Sequence, residues 1–434
     1  MNAMVRGLLL LAVGASMPAW AQIGLPQLPT QGLPLPRELP LPAPLPREIG
    51  AATEPLVSSV RQRARALLQR YPGQVERDPR GAPAVRAVIV ALAPSEQALQ
   101  QALTRGFQIQ SDETLAPLDE RVVTLLVPPG VSTRRALRDL RAADPGGSYD
   151  FDHLFVSLQA SPARATGEPP PSGALAAAVD VRVGLIDGGV DAQHAVFATR
   201  RPQVQGCGGT PTASEHATAV ASLFVGHAPE FQGAAPGAEL VAVDVYCDAA
   251  TPGGRVRDIV VALAELAAAN VRVINMSVVG PDNAVLSAVV RKVIGQQIVI
   301  VAASGNDGPN APPLYPAAYP GVVAVTAVDA QAKVLIEASG GDHVRFAAPG
   351  ADMLAASLGG KYTAVRGTSY AAPLVAGLIA RLLEQEDPAG LEQVVQQLAA
   401  TAPERTGSRR RSAYLVGMEL RTDPAGLAGR PSPE

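Results

Sequence analysis

Apolar and polar positions along this chain change period several times, and the changes mark its elements. Within residues 51–160, Val85 to Leu92 is an apolar run of strand length, and Pro94 to Leu103 reads as a helix. Val122-Val123-Thr124-Leu125-Leu126-Val127 is a second strand, stopped by Pro128-Pro129-Gly130. Ser132 stands in the cap position of a helix over Thr133 to Ala142, which carries Arg134, Arg135, Arg138 and Arg141. Phe151 to Leu158 alternates as a last strand. Strand, helix, strand, helix, strand predicts a small α+β sandwich of the ferredoxin-like kind. Ahead of it, Thr53 to Gln69 reads as one amphipathic helix. Further along, Val181 to Ile186 and Ile298 to Ala302 are apolar β-type runs, and Glu215 to Leu223 is an Ala-rich helical stretch. An apolar helix follows Gly367, and Leu391 to Ala399 reads as another.

The ends of the chain carry a different pattern. Arg6, the apolar run from Gly7 to Val13 and the small-x-small site Ala19-Trp20-Ala21 read as an export leader over residues 1–21. That run is far too short to cross a bilayer. Residues 22–50 are dominated by Leu-Pro pairs such as Leu33-Pro34-Leu35-Pro36, an extended spacer without a core. Gly167-Glu168-Pro169-Pro170-Pro171-Ser172-Gly173 marks a linker. The expected organisation is leader 1–21, spacer 22–50, α+β domain 51–160, linker 161–178, main domain 179–403 and tail 404–434. Arg409-Arg410-Arg411 reads as a solvated loop and residues 421–434 as disordered.

Composition narrows the class of function. A hydrophobic share of 47% with 17% charged residues suits a globular protein with a large core. A net charge of −3 and an aromatic content of 4% give no basis for a nucleic-acid or anionic-membrane partner. Cys207 and Cys247 favour a disulfide in an exported chain, with two buried free thiols as the alternative.

Chemistry concentrates in three segments. Gly367-Thr368-Ser369-Tyr370-Ala371-Ala372-Pro373 places Ser369 in the first turn of an apolar helix, just after Thr368, which can cap it. The serine hydroxyl is then left free, among unpaired N–H groups at the positive end of a helix dipole. Val181 to Gly189 ends an apolar strand in Asp187, at the strand end where α/β sheets bind ligands. His216 lies near the start of the Ala-rich helix. Alone, each reads as a cap, a turn residue or a structural histidine. Together they supply nucleophile, base and orienting anion.

In these segments the chain resembles the subtilisin-like serine proteases, whose Asp, His, Ser order it follows. Val301-Ala302-Ala303-Ser304-Gly305-Asn306-Asp307-Gly308 is similar to the segment whose Asn donates to the oxyanion, which makes Asn306 that residue by resemblance. Ile274-Asn275-Met276-Ser277, Tyr315-Pro316-Ala317-Ala318-Tyr319-Pro320 and Ala347-Ala348-Pro349-Gly350 are further landmarks in the family's order. The resemblance spans roughly residues 175–385 and implies a subtilisin-like α/β fold, a parallel sheet flanked by helices, preceded by the small α+β (ferredoxin-like) domain. It implies a secreted or periplasmic serine endopeptidase that works through an acyl-enzyme on protein or peptide substrates. It makes the N-terminal domain a propeptide, an intramolecular inhibitor and chaperone, and the chain a zymogen. It places the first specificity pocket along Ser277, Val278, Val279 and Gly280 and along Ala303, Ser304 and Gly305, whose small or apolar side chains suit an uncharged residue.

Two positions depart from the family pattern. Gly188 stands where a hydroxyl residue usually follows the Asp, and Ala217 where a Gly usually follows the His. Both bear on rate and substrate tolerance and leave every reacting group in place. No metal-ligand spacing appears, no cofactor is expected, and His153, His194, His227 and His343 are read as structural. Because the base must be neutral, activity is expected to fall below about pH 6.5. An α/β-hydrolase would need Gly at 371 and the chain order Ser, Asp, His, and a penicillin-binding enzyme would need Lys where Ala372 stands. The alternative is a catalytically impaired subtilisin-like scaffold with a binding or regulatory role.

Overall fold

The computed structural model describes residues 60–157, 176–246, 253–385, 391–402, 405–408 and 411–422. The leader, the Pro-rich spacer, the first residues of the expected N-terminal helix, most of the linker, Cys247 and residues 423–434 lie outside them.

The N-terminal part runs α1 (Val60–Arg70), β1 (Val75–Arg77), β2 (Pro83–Leu92), α2 (Glu96–Thr104), β3 (Gln108–Leu115), β4 (Glu120–Leu126), α3 (Thr133–Ala143) and β5 (Ser148–Ser157). Strand β3 was not expected: its sequence, QIQSDETL, is mostly exposed at the sheet edge and lacks an apolar face to betray it. Strand β2 explains why its run looked continuously apolar. Ile89 and Ala91 pack with Leu99, Leu137 and Leu140 of the domain's own helices, while Val90 and Leu92 join a core on the opposite face. Ser95 caps α2 by accepting from the Ala98 N–H. Ser132 holds the corresponding place at α3, yet its side chain makes no capping bond.

The larger part begins with β6 (Arg182–Asp187), β7 (Gln203–Gly206), α4 (Glu215–Val225), the hairpin β8 (His227–Ala228) and β9 (Phe231–Gln232), and β10 (Glu239–Asp244). It continues with β11 (Gly254–Arg255), α5 (Val256–Ala268), β12 (Val273–Met276), β13 (Val278–Val279), α6 (Ala284–Gly295), β14 (Val299–Ala303), β15 (Val323–Val328) and β16 (Val344–Pro349). The hairpin β17 (Met353–Ser357) and β18 (Lys361–Val365), then α7 (Thr368–Gln385), α8 (Leu391–Thr401), β19 (Arg405–Ser408) and β20 (Arg411–Leu415) complete it. The main sheet has the order β19-β20-β16-β15-β14-β12-β6-β10-β7, parallel except at the β19–β20 pair. Side chains alternate between its two faces: Val183, Leu185, Val299 and Val301 meet α4 and α7, while Ile186, Ile274 and Ile300 meet α5 and α6. Burial on both faces is the reason these strands read as unbroken apolar runs. The stretch expected as a tail after 403 instead includes β19 and β20, and Arg411 belongs to a strand rather than to a solvated loop.

The two parts share strands. The last residues of β5 pair antiparallel with β13 on one side, Val278 opposite Ser157 and Val279 opposite Val156. On the other side they pair with β11, Gly254 opposite Phe155 and Arg255 opposite Leu154. Asp152 of β5 is fully buried, accepts from Arg255 Nε at 2.6 Å and from the Arg257 N–H in the first turn of α5 at 3.2 Å. Asp150 accepts from the Ala284 N–H at the start of α6 at 2.8 Å. Carboxylates of one part thus satisfy free N–H groups at two helix starts of the other.

Candidate active site

Each expected reacting group sits at the end of an element. Asp187 is the last residue of β6 and 1% exposed; His216 is the second residue of α4 and 3% exposed; Ser369 is the second residue of α7 and fully buried. His216 Nδ1 lies 3.0 Å from Asp187 Oδ1 and 2.9 Å from Oδ2. The Gly188 N–H donates to the same carboxylate at 2.7 Å. His216 Nε2 and Ser369 Oγ are both buried without a hydrogen-bond partner, so no direct bond joins the imidazole to the hydroxyl. The His216 ring stands 5.5 Å from the ring of Tyr370, the residue after Ser369. Resting sites of this kind often tighten only around a substrate.

Asn306 has its own geometry. Its Oδ1 accepts from the Thr368 N–H and from the Thr368 hydroxyl, both at 3.1 Å. That hydroxyl in turn accepts from the Gly305 N–H at 3.2 Å. Thr368 therefore ties the 305–306 loop to the start of α7 and does not spend its hydroxyl capping its own helix. With Oδ1 engaged, the amide orientation is set and Nδ2 is left as a buried donor without a partner. A buried unpaired donor is costly, which makes it a marker for an absent acceptor. The Ser277 hydroxyl donates to the Ser369 carbonyl at 3.2 Å and accepts from Asn275 Nδ2 at 3.0 Å, holding the strand before the substrate edge against the helix start.

The expected pocket residues separate into two groups. Val278 and Val279 are fully buried and bonded to β5 along their strand edge. Gly280 faces the Phe155 ring: a Cβ there would come within 2.7 Å of it. Ala303 and Ser304 are fully buried, and the Ser304 hydroxyl donates to the Ser339 carbonyl at 2.8 Å. Gly305 adopts φ of +105° and turns the chain into Asn306.

The two departures from the family pattern face one another. A side chain on Gly188 would meet Ser214 Oγ at 2.7 Å and the Ala217 methyl at 3.8 Å. Ser214 caps α4 by accepting from the Ala217 N–H at 3.1 Å, so it occupies the space that a hydroxyl residue at 188 would need. Sequence reading missed Ser214, Asp150 and Asp152. The alternation Tyr149-Asp150-Phe151-Asp152-His153 in an otherwise apolar strand was the available signal for the last two. The other histidines have partners: His153 lies 3.3 Å from Asp78 and 2.9 Å from Asn283, His194 bonds the Lys361 carbonyl, and His227 that of Ala176. His343 is half-buried, and burial lowers its pKa. Cys207 is disulfide-bonded; its expected partner lies outside the described residues.

The surroundings are poorly hydrated. Burial raises the Tyr246 and Tyr370 phenols, with the Asp187 charge acting in the same sense, and burial also raises the Asp244 carboxyl. In such a setting charges and aimed dipoles act at greater strength than in water.

Comparison with known proteins gives the same neighbourhood. The model of the subtilase family matches residues 179–418. Subtilisin E of Bacillus subtilis (strain 168) is 33% identical over 236 residues, covering 51% of this chain and 60% of that one. The subtilisin of Bacillus pumilus is also 33% identical over 236 residues, covering 51% and 84%. This chain thus spans 60% of the length of subtilisin E. Among solved structures, fervidolysin from Fervidobacterium pennivorans superposes with a TM-score of 0.62 at 19% identity, over 80% of this chain and 62% of that one. The protease domain of PatA gives 0.50 at 28% identity, over 56% and 94%.

Proposed function

The chain belongs to the subtilase family, and from that premise we propose that it is an exported serine endopeptidase made as a self-inhibited precursor. Ser369 attacks a peptide carbonyl while His216 takes its proton, and His216 then passes that proton to the leaving amine. Water hydrolyses the acyl-enzyme by the same route. Asp187 fixes the imidazole tautomer and stabilises its cation. Asn306 Nδ2 and the Ser369 N–H receive the oxyanion. The observation that carries this reading is the paired Asp187 and His216 beside a buried free hydroxyl and a buried free amide donor.

The region 51–160 acts as intramolecular inhibitor and folding aid, and the segment 161–178 contains the processing region. Support comes from β5, which runs between β11 and β13 in the extended form a substrate would take. It comes also from Asp150 and Asp152, which complete helix starts the main part leaves open. Substrates are protein or peptide chains. Among the described residues no helix is long and apolar enough to cross a membrane.

The test is labelling of purified, processed protein with a fluorophosphonate, alongside casein hydrolysis and N-terminal sequencing. Label on Ser369, with a new N-terminus that a Ser369→Ala chain lacks, is the expected result. An intact Ser369 that takes no label and hydrolyses nothing would leave the impaired-scaffold reading in its place.

A further inference from the structure

Helix α1 has no role in the mechanism just described, yet it lies across the site. Its first residue, Val60, donates its N–H to Asp307, next to Asn306, and packs in one apolar cluster with Val156 and Val279. One turn later, Arg63 donates to the carbonyl of Ser157, the last residue of β5. A further turn on, Ala66 and Leu67 line a cavity of about 560 Å³ together with Asp187, Ser214 and His216, and Arg63 reaches into the same cavity. Burial lowers the Arg63 pKa. The helix therefore spans from the oxyanion loop to the imidazole, while β5 fills the strand edges beside it.

The two elements block the site in different ways. β5 is extended and pairs with β13, the geometry in which a chain is presented for cleavage. α1 has its backbone hydrogen bonds closed within the helix and offers no strand to that edge. Both elements lie upstream of residues 158–175, so a cut in that segment severs both from the main part's chain at once and leaves them held by noncovalent contacts alone.

We propose that α1 is a second inhibitory element, a helical plug over Asp187 and His216 that offers no strand for cleavage, with Arg63 fastening it to β5. The proposal rests on the protease reading above and adds the element that governs delay between processing and activity. Once the chain is cut after β5, the plug holds until α1 leaves, and because Arg63 ties α1 to the paired strand β5, the helix is kept in place for as long as that strand stays bound.

The experiment follows full-length wild type, Arg63→Ala, Arg63→Lys and Leu67→Asp chains in time. Gel shift reports processing, and fluorophosphonate label on Ser369 reports an open site. Processing should be equally fast in all four. Label should then appear roughly tenfold sooner in Arg63→Ala and Leu67→Asp, the size expected for loss of a charge-assisted bond, with Arg63→Lys close to wild type. Equal delays in all four chains would overturn the plug. A wild-type chain that takes no label even after an added protease has digested its N-terminal part would overturn the protease reading itself, and the plug with it. The second failure is told from the first by the label of digested wild type.

Discussion

Asn306 shows how one side chain is prepared by its neighbours. Thr368 gives both of its donors to Asn306 Oδ1, so the amide cannot flip, and Nδ2 must point its hydrogens at whatever acceptor arrives. Asn306→Ala should lower kcat on the order of 10²–10³, a figure carried over from loss of this donor in a subtilisin, with KM little changed. Steady-state hydrolysis of a peptide anilide measures it; a rise in KM at constant kcat would assign Asn306 to ground-state binding. Gly188 offers a second test at this scale. Gly188→Ser should clash with Ser214 and destabilise the fold by about 1–3 kcal/mol. Ser214→Gly alone should cost a few tenths of a kcal/mol as a cap change and should relieve the first substitution in the double variant. Additive effects in thermal melts would show that the two sites do not share space. The residue types of the site were legible because Asp187, His216 and Ser369 each end or begin a periodic run. The partner of Thr368 was not, since capping is judged from adjacent residues and its bond reaches Asn306, 62 residues away.

At the scale of elements, β5 carries the most consequence. It was legible as a strand, but its use was not, because pairing with β11 and β13 joins segments about a hundred residues apart in sequence. β3 was missed for the opposite reason: an exposed polar edge strand has no apolar period to find. Asp152 is held at full burial by Arg255, and burial pushes its carboxyl up against that pull. Removing its charge leaves Arg255 facing a neutral group and the α5 start without its anion. In a Ser369→Ala background, which keeps the chain whole, Asp152→Asn should weaken folding by about 3 kcal/mol in urea titrations. No shift in midpoint would mean that the pair does not hold the two parts together. Asp78 adds a pH dependence. Burial raises this carboxyl, but hydrogen bonds from His153, Ala82 and Arg80 outweigh it, and the net shift is downward. A carboxyl depressed on folding adds stability that is fully present above its unfolded value of about 3.9 and is lost as pH falls through the folded value. Urea midpoints of the Ser369→Ala chain should therefore fall below about pH 4, and fall less in an Asp78→Asn variant.

For the whole molecule, the two parts are joined by shared strands as well as by the chain between them. Among the described residues, the N-terminal sheet has α2 and α3 on one face and α5 and α6 on the other. Each part buries apolar surface that would be open in its absence, so on the precursor reading proposed above, loss of the N-terminal part would expose the outer faces of α5 and α6 to water. Export itself can be read from one residue. Trp20 is the single tryptophan and lies inside the expected cleavage site Ala19-Trp20-Ala21. A precursor retained in the cell should show indole emission, and the exported protein only that of its tyrosines, whatever has happened at the later processing step. Indole emission from exported protein would mean that the leader stays attached and that the expected cleavage at Ala19-Trp20-Ala21 does not occur.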